Sequence, residues 1–299
     1  MKSDERFNIL LVLLPFIHND SSVAKTYLEL KEFFIDENIP FVNYNFYSLE
    51  QHKPHIVFIQ NPYEETRPER FRIDKIFKCG AKICYIPYGL DVGGGIWNIQ
   101  AMYNIPLHNS AWRIFARSDK QKRMYAKYCD AGNSHVVVTG HPKFDNEQQN
   151  VEINEQLLQK IKGRKVILWT PHFSVNNPPS WSTYNIYSKT IFDEFAKRED
   201  LFLYIRPHPL FFKAMINHGI WKAEDEANFK HMITSSSNIA LDETADYLQA
   251  FSVSDALMAD AGSFLLEYLP SSKPILYLHH PEGLGLYDES MEGLYYKAS

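Results

Sequence analysis

Two successive series of short apolar runs, each broken by helix-like stretches, predict an α/β chain built from two doubly wound, mostly parallel domains. Three observations carry that expectation. The runs are bounded by Gly, Pro or polar residues, as strands buried on both faces are. Strand and helix alternate in both series. A polar stretch from Asn146 to Gly163 separates them. The chain has 299 residues, 45% of them hydrophobic, enough for one large domain or two of ordinary size. The boundary is placed near Asn146, giving domains 1–146 and 147–299 that are expected to face a cleft.

In the first half the strands are expected at Ile9–Phe16, His55–Gln60, Lys82–Pro87, Arg113–Ala116 and Val136–Thr139. Between the first two, Val23, Tyr27, Leu30 and Phe34 recur at helical spacing, predicting a helix over Val23–Asn38. A second helix is expected over Glu69–Lys78. The apolar run Ile9–Ile17 falls well short of the ~20 residues that cross a bilayer. Lys2, Asp4, Glu5 and Arg6 before it do not form the basic leader of a signal peptide. In the second half strands are expected at Val166–Thr170, Leu201–Arg206, Ala256–Asp260 and Ile275–Leu278, with helices at Tyr187–Lys197, Asp246–Phe251 and Phe264–Leu269.

The net charge of -5 carries no basic excess, which argues against nucleic acid as a partner. Cys79, Cys84 and Cys129 show no metal spacing and cannot all pair, so a reducing cytoplasm is expected. The sequence lacks HExxH, paired cysteines, a DxD pair at a strand end and a GxSxG elbow; neither a metal nor a cofactor is expected. Tyr85-Ile-Pro-Tyr-Gly-Leu-Asp-Val-Gly-Gly-Gly95 is a glycine-rich strand end. It fits neither GxGxxG nor GxxxxGK[ST], and reads as a flexible loop.

Polar residues gather after the strands of the second half. Val166–Thr170 runs into Pro171-His172, Leu201–Arg206 into Pro207-His208-Pro209, and Ala256–Asp260 into Ala261-Gly262-Ser263. Ligands of open parallel sheets bind outside the carboxyl ends of strands, so the three ends are expected to converge on one polar crevice. Gly262 and Ser263 open an apolar helix and suit an anion; Ser263 equally suits a plain helix cap. Glu267, one turn on, reads either as a partner for ribose hydroxyls or as an exposed carboxylate. Arg206 suits bidentate contact with phosphate, or else a buried pair with a carboxylate. His208, stiffened by prolines on both sides, suits accurate contact with a ligand. In the first half Asp91 is a base or a turn former. His18 and Asp20 follow the first strand, and His141 follows the last.

These strand ends resemble those of the CDP-glycerol glycerophosphotransferases of teichoic-acid and capsule synthesis. Leu168-Trp-Thr-Pro-His-Phe173 is similar to the family's "aPTfR" strand end, and Arg206-Pro-His-Pro209 to its "HP" motif. Ser254-Asp-Ala-Leu-Met-Ala-Asp-Ala-Gly-Ser263 is similar to "sDvlitDySS", Lys273-Pro-Ile-Leu-Tyr277 to "kPvify", and Thr139-Gly-His-Pro-Lys-Phe-Asp145 to "tGyPRnD". The resemblance covers roughly residues 80–280. It implies a GT-B fold with an acceptor-side domain followed by a nucleotide-donor domain.

The implied reaction is transfer of glycerol or ribitol phosphate from a CDP donor to a hydroxyl of a surface polysaccharide or lipid-linked precursor, with release of CMP. The implied place is the cytoplasm, at the inner face of the membrane. His208 is implied to stabilise the moving phosphate, with His172, His141 and Asp91 as further catalytic candidates. Thr170, Arg206, Asp260, Gly262, Ser263 and Glu267 are implied on the donor. The family's HGT histidine has no counterpart at Tyr88-Gly-Leu90, which leaves the general base open among His141, Asp91 and His18. GT-B chains usually continue past the equivalent of Ser299, so a longer natural chain is an expectation. A glycosyltransferase using a nucleotide-sugar donor and a non-catalytic binding homologue are the competing functions.

Overall fold

The computed structural model describes residues 4–17, 22–90, 92–146, 151–176, 181–244 and 246–287. The chain divides into two compact units. The first comprises Met1–Tyr88 and Tyr103–His141, the second Gly89–Met102 and Pro142–Ser299. The glycine-rich segment, which the sequence reading kept with the first half, therefore belongs to the second unit. His18, Asp20 and Asp91 lie outside the described residues.

The first unit contains strands β1 (Val12–Leu13), β2 (Val42–Asn43), β3 (Ile56–Ile59), β4 (Lys82–Tyr85), β5 (Arg113–Ala116) and β6 (Val136–Val138). Strands β3 to β6 form one parallel sheet in sequential order. One face of it, with Ile59, Ile83, Tyr85, Ile114, Ala116 and Val136, is buried. The first apolar run makes far less strand than expected. Only Val12 and Leu13 pair, with Val42 and Asn43 in a separate two-stranded sheet. Ile9, Leu10, Leu11 and Phe16 remain exposed, and among the described residues the ladder of this run extends only over Val12 and Leu13. The helix Ser22–Asp36 forms where the apolar spacing put it. The stretch Glu69–Lys78 splits into a 3-10 turn (Glu69–Phe71) and a helix (Ile73–Lys78), because Arg72 between them is extended.

In the second unit β7 (Lys165–Thr170), β8 (Leu201–Ile205), β9 (Ile239–Leu241), β10 (Ala256–Ala259) and β11 (Ile275–Tyr277) form a parallel sheet in the order β11-β10-β7-β8-β9. Successive residues of a strand point to opposite faces. Val166, Leu168, Phe202, Tyr204, Leu257 and Ala259 accordingly pack with Leu265 and Tyr268 on one side. Trp169, Leu203, Ile205 and Met258 pack with Phe195, Phe211 and Met215 on the other. Both faces are covered, which is why these strands read as unbroken apolar runs. The polar stretch before β7 holds a helix, Glu155–Ile161. Asn154 caps it by accepting the Leu157 N–H at 3.1 Å, and Ile161 anchors it in the core.

The glycine-rich segment is tied into the second unit by its backbone. Gly94 N–H donates to the Gly285 carbonyl at 2.7 Å, and Tyr287 N–H donates to the Val92 carbonyl at 3.1 Å. A side chain at Gly94 would run into the Leu284 carbonyl oxygen. The three cysteines are free thiols. Among the described residues no helix is long and apolar enough to cross a membrane.

Because backbone atoms cannot retreat as a flexible side chain can, Gly94→Ala should destabilise the protein by about 1–3 kcal/mol, the range for overpacking a tight contact. Urea unfolding followed by tryptophan fluorescence measures this. An unchanged midpoint would mean that the Gly94 segment does not sit on Leu284–Leu286.

Candidate active site

The order β11-β10-β7-β8-β9 builds outward from β7 in one direction, then returns to its other side for β10 and β11. The reversal lies between β7 and β10, and the carboxyl-side mouth of such a reversal is where open α/β sheets bind ligands. Thr170, buried, ends β7 opposite Ala259 of β10. The next residues on each strand are Pro171-His172 and Asp260-Ala261-Gly262, so the motifs expected to converge do so here. An added Cβ on Gly262 would come within 3.9 Å of the His172 ring. The ring of His208, from the end of β8, lies 5.5 Å from that of His172, centre to centre.

Both histidines are held by the same local device. In each, Nδ1 accepts the backbone N–H two residues on, from Ser174 at 3.1 Å for His172 and from Leu210 at 3.1 Å for His208. The ring proton of the neutral form must then sit on Nε2. The backbone N–H of His208 also donates to the Pro171 carbonyl at 3.0 Å, which joins the two loops. Burial pushes the His208 ring down to about 4. Burial, helped by the neighbouring His208, pushes the His172 ring down to about 3. Both rings are therefore neutral donors at physiological pH.

Asp260 is a buttress inside this mouth. Its carboxylate is buried and accepts the His172 N–H at 2.7 Å, the Thr183 N–H at 3.2 Å and the Thr183 hydroxyl. Burial pushes its carboxyl up to about 7, against the pull of those hydrogen bonds. It holds the His172 loop to the head of the following helix.

Arg206 forms the pair that the sequence reading set against a phosphate clamp. Its Nη1 lies 2.6 Å from Asp242 Oδ2, with the two side chains 10% and 0% exposed, and Nη2 donates to the Thr244 carbonyl at 2.9 Å. Asp242 follows β9, a strand of 3 residues that no periodicity in the sequence marks.

Glu267 is likewise not the exposed carboxylate that was its alternative reading. Its side chain is 2% exposed, and Oε1 is 3.0 Å from Lys143 Nζ. Among the described residues its other oxygen, Oε2, is buried without a hydrogen-bond partner. The helix after Ser263 spans only Phe264–Glu267, shorter than expected, because a 3-10 turn containing Pro270 takes over. Ser263 is αR at its start, and its side chain makes no capping bond. Four residues sum to little macrodipole, so any anion contact here rests on individual amides.

His141 belongs to the first unit, where its Nε2–H donates to the Pro87 carbonyl at 2.8 Å and ties the end of β6 to that of β4. Among the described residues no three His, Cys, Asp or Glu side chains cluster as metal ligands do.

Two outcomes follow. Removing one member of a buried ion pair strands the other, so Asp242→Ala should cost about 3–5 kcal/mol in urea unfolding; a loss under about 1 kcal/mol would mean that the pair is solvated. The ring titrations of His172 and His208, followed by proton NMR, should show no midpoint near 6.5, and a midpoint there would contradict their burial. Both rings have folded values below 6.5, so the stability they contribute is present above pH 6.5 and lost as pH falls towards about 3–4. Asp260 runs the other way. Its contribution is present below 3.8 and lost as pH rises through about 7. The opposed slopes make the individual ring signals the cleaner readout.

Comparison with known proteins identifies the family and the fold. The model of the family CDP-Glycerol:Poly(glycerophosphate) glycerophosphotransferase matches residues 106–298. No curated protein matches the sequence. Among solved structures, the S. aureus MnaA–UDP co-structure is 18% identical, with 98% of this chain and 75% of that one covered and a TM-score of 0.59. UDP-GlcNAc 2-epimerase of Methanocaldococcus jannaschii, in complex with UDP-GlcNAc and UDP, is 15% identical over 88% and 75%, also at 0.59. A variant of the wall teichoic acid polymerase TagF is 13% identical over 95% and 74%, at 0.50. At such identities the likeness speaks for the fold alone, which is GT-B. The family match spans well over half of the chain, and with the strand-end motifs at the sheet's reversal it makes this chain a transferase belonging to the CDP-glycerol:poly(glycerophosphate) glycerophosphotransferase family.

Proposed function

We propose that the chain transfers an alditol phosphate, glycerol or ribitol phosphate, from a CDP donor to a hydroxyl of a polysaccharide or lipid-linked acceptor. The acceptor oxygen attacks the β-phosphorus. The bridging P–O bond breaks, and CMP leaves with its electron pair. The acceptor's proton passes to one of Asp91, His141 and His18. A lipid-linked acceptor would bring the protein to the inner face of the cytoplasmic membrane. The observation that carries this reading is the meeting of two neutral, Nε2-protonated histidines with Gly262 where the strand order reverses.

Phosphoryl transfer asks for positioning and for donors aimed at oxygens that gain or shift charge. His208 and His172 each offer one N–H from a ring fixed by its own backbone. The backbone amides of Gly262 and Ser263 are further donors to a phosphate. Thr170 lies under the same mouth. Arg206 acts here as a positioning residue: paired with Asp242, it anchors the loop that carries His208. Glu267 Oε2, lacking a donor, suits a ribose hydroxyl.

His208→Ala should lower turnover of CDP-glycerol by about two to three orders of magnitude, the scale for one preorganised donor. The loss of stability should stay within about 1–3 kcal/mol, the cost of leaving the Leu210 N–H without its acceptor, and the fold should be kept. A variant that unfolds while its soluble fraction keeps full activity would make His208 structural. CMP should bind in the presence of a chelator, and more tightly than UMP or UDP, by calorimetry. Strict dependence on a divalent metal, or preference for UDP, would overturn the donor assignment.

A further inference from the structure

An aromatic shelf continues from the site histidines along elements that the transfer chemistry leaves unused. The Trp181 ring packs edge-on against His172, 5.4 Å between centres. Trp97 follows at 5.3 Å from Trp181, on the helix Ile96–Tyr103 that the glycine-rich segment leads into. Trp97 is 55% exposed and its neighbour Ile96 67%. Ile96, Trp97 and Trp181 form a contiguous apolar patch beside polar groups, and such patches rimmed by polar residues mark binding surfaces. The shelf is also rigid. Gly93 has no side chain, so its backbone lies flat against the Trp181 indole; a Cβ there would stand 2.7 Å from the ring. The Asn98 side-chain amide donates to the Gly93 carbonyl and locks the turn from the other side.

We infer that Trp97 and Trp181 form a stacking subsite for a pyranose ring of the acceptor, one ring-step from His172. The identity of that ligand as the acceptor rests on the phosphotransferase reading. A sugar face needs only an aromatic plane for its axial C–H groups. A nucleobase stacked there would instead tie the shelf to the binding of CDP-glycerol. A bare glycerol phosphate chain has no ring to stack. The shelf therefore assigns a sugar-terminated acceptor, or a sugar unit close to the growing end, in preference to an unsubstituted poly(glycerol phosphate).

The test compares wild type, Trp97→Ala and Trp97→Phe in two assays. The first is intrinsic fluorescence titrated with methyl β-glucopyranoside and, separately, with oligo(glycerol phosphate). The second is calorimetry with CDP-glycerol. The glucoside should quench wild-type fluorescence at lower concentration than the oligomer does. Trp97→Ala should weaken glucoside binding roughly tenfold, about 1.4 kcal/mol, and Trp97→Phe should restore most of it. The affinity for CDP-glycerol should stay unchanged. Equal glucoside binding by Trp97→Ala, or no rescue by Trp97→Phe, overturns the subsite. Loss of CDP-glycerol affinity in Trp97→Ala would assign the shelf to the donor base and overturn it as well. If CDP-glycerol fails to bind wild type while the glucoside binds through Trp97, the donor reading fails and the sugar subsite stands.

Discussion

A buried carboxylate at the end of a central strand organises the mouth of the second unit. Asp260 leaves β10 buried, and a carboxyl group in that setting persists only where hydrogen-bond partners surround it. The donors are the backbone of His172, from the neighbouring strand end, and the backbone and hydroxyl of Thr183, at the head of the helix Tyr184–Phe195. One side chain thus fixes where β7 hands over to its loop and where the next helix starts. His172 inherits its position from that bond, and through the contact of His208 N–H with Pro171 so does the second histidine. Losing Asp260 would displace both ring donors without touching either ring.

The arginine of the Arg206-Pro-His-Pro run supports the same mouth from the side. Two motifs that read as ligand-binding in the sequence, Arg206 and Asp260, are thus bonded to neighbouring loops, and beside them at the reversal of the sheet stand two imidazoles and a glycine. This division is physically reasonable. A guanidinium buried against Asp242 gives a fixed frame, whereas a guanidinium on a long flexible side chain at the surface would lose rotamer entropy each time it closed on a phosphate.

Most of the parallel sheet was legible in the sequence. Strands β3 to β8, β10 and β11 lie within a residue or two of the apolar runs that announced them, because both of their faces, or at least one, are buried. The failures have particular causes. Ile239–Leu241 is three apolar residues between polar ones, too short for periodicity to register, and with β9 went Asp242 and the true partner of Arg206. The helix Asp119–Tyr128 is largely polar and showed no apolar stripe, although Ser118 in front of it does cap it, accepting the Gln121 N–H at 3.2 Å. Ile9–Phe16 was apolar enough for a strand, but pairing is a tertiary fact, and only two of its residues find a partner. The assignment of Gly89–Met102 to the second unit rests on backbone bonds to Gly285 and Tyr287, nearly two hundred residues away in sequence, which no local pattern encodes.

The electrostatic consequence of this arrangement concerns how a diphosphate is met. Burial keeps both histidines neutral, Arg206 is neutralised by Asp242, and Lys143 is paired with Glu267. The described side chains at the mouth therefore offer oriented N–H dipoles rather than unbalanced positive charge. In water such dipoles would be weak partners for a phosphate. Beside Asp260 and Thr170, both shielded from solvent, the effective dielectric falls, and each hydrogen bond that need not reorganise gains in proportion. The design then depends on accuracy more than on charge, which accounts for the prolines around His208, the backbone bond on each Nδ1 and the buried carboxylate behind His172. A site of this kind tolerates a shift in salt better than a shift of half an ångström in its loops.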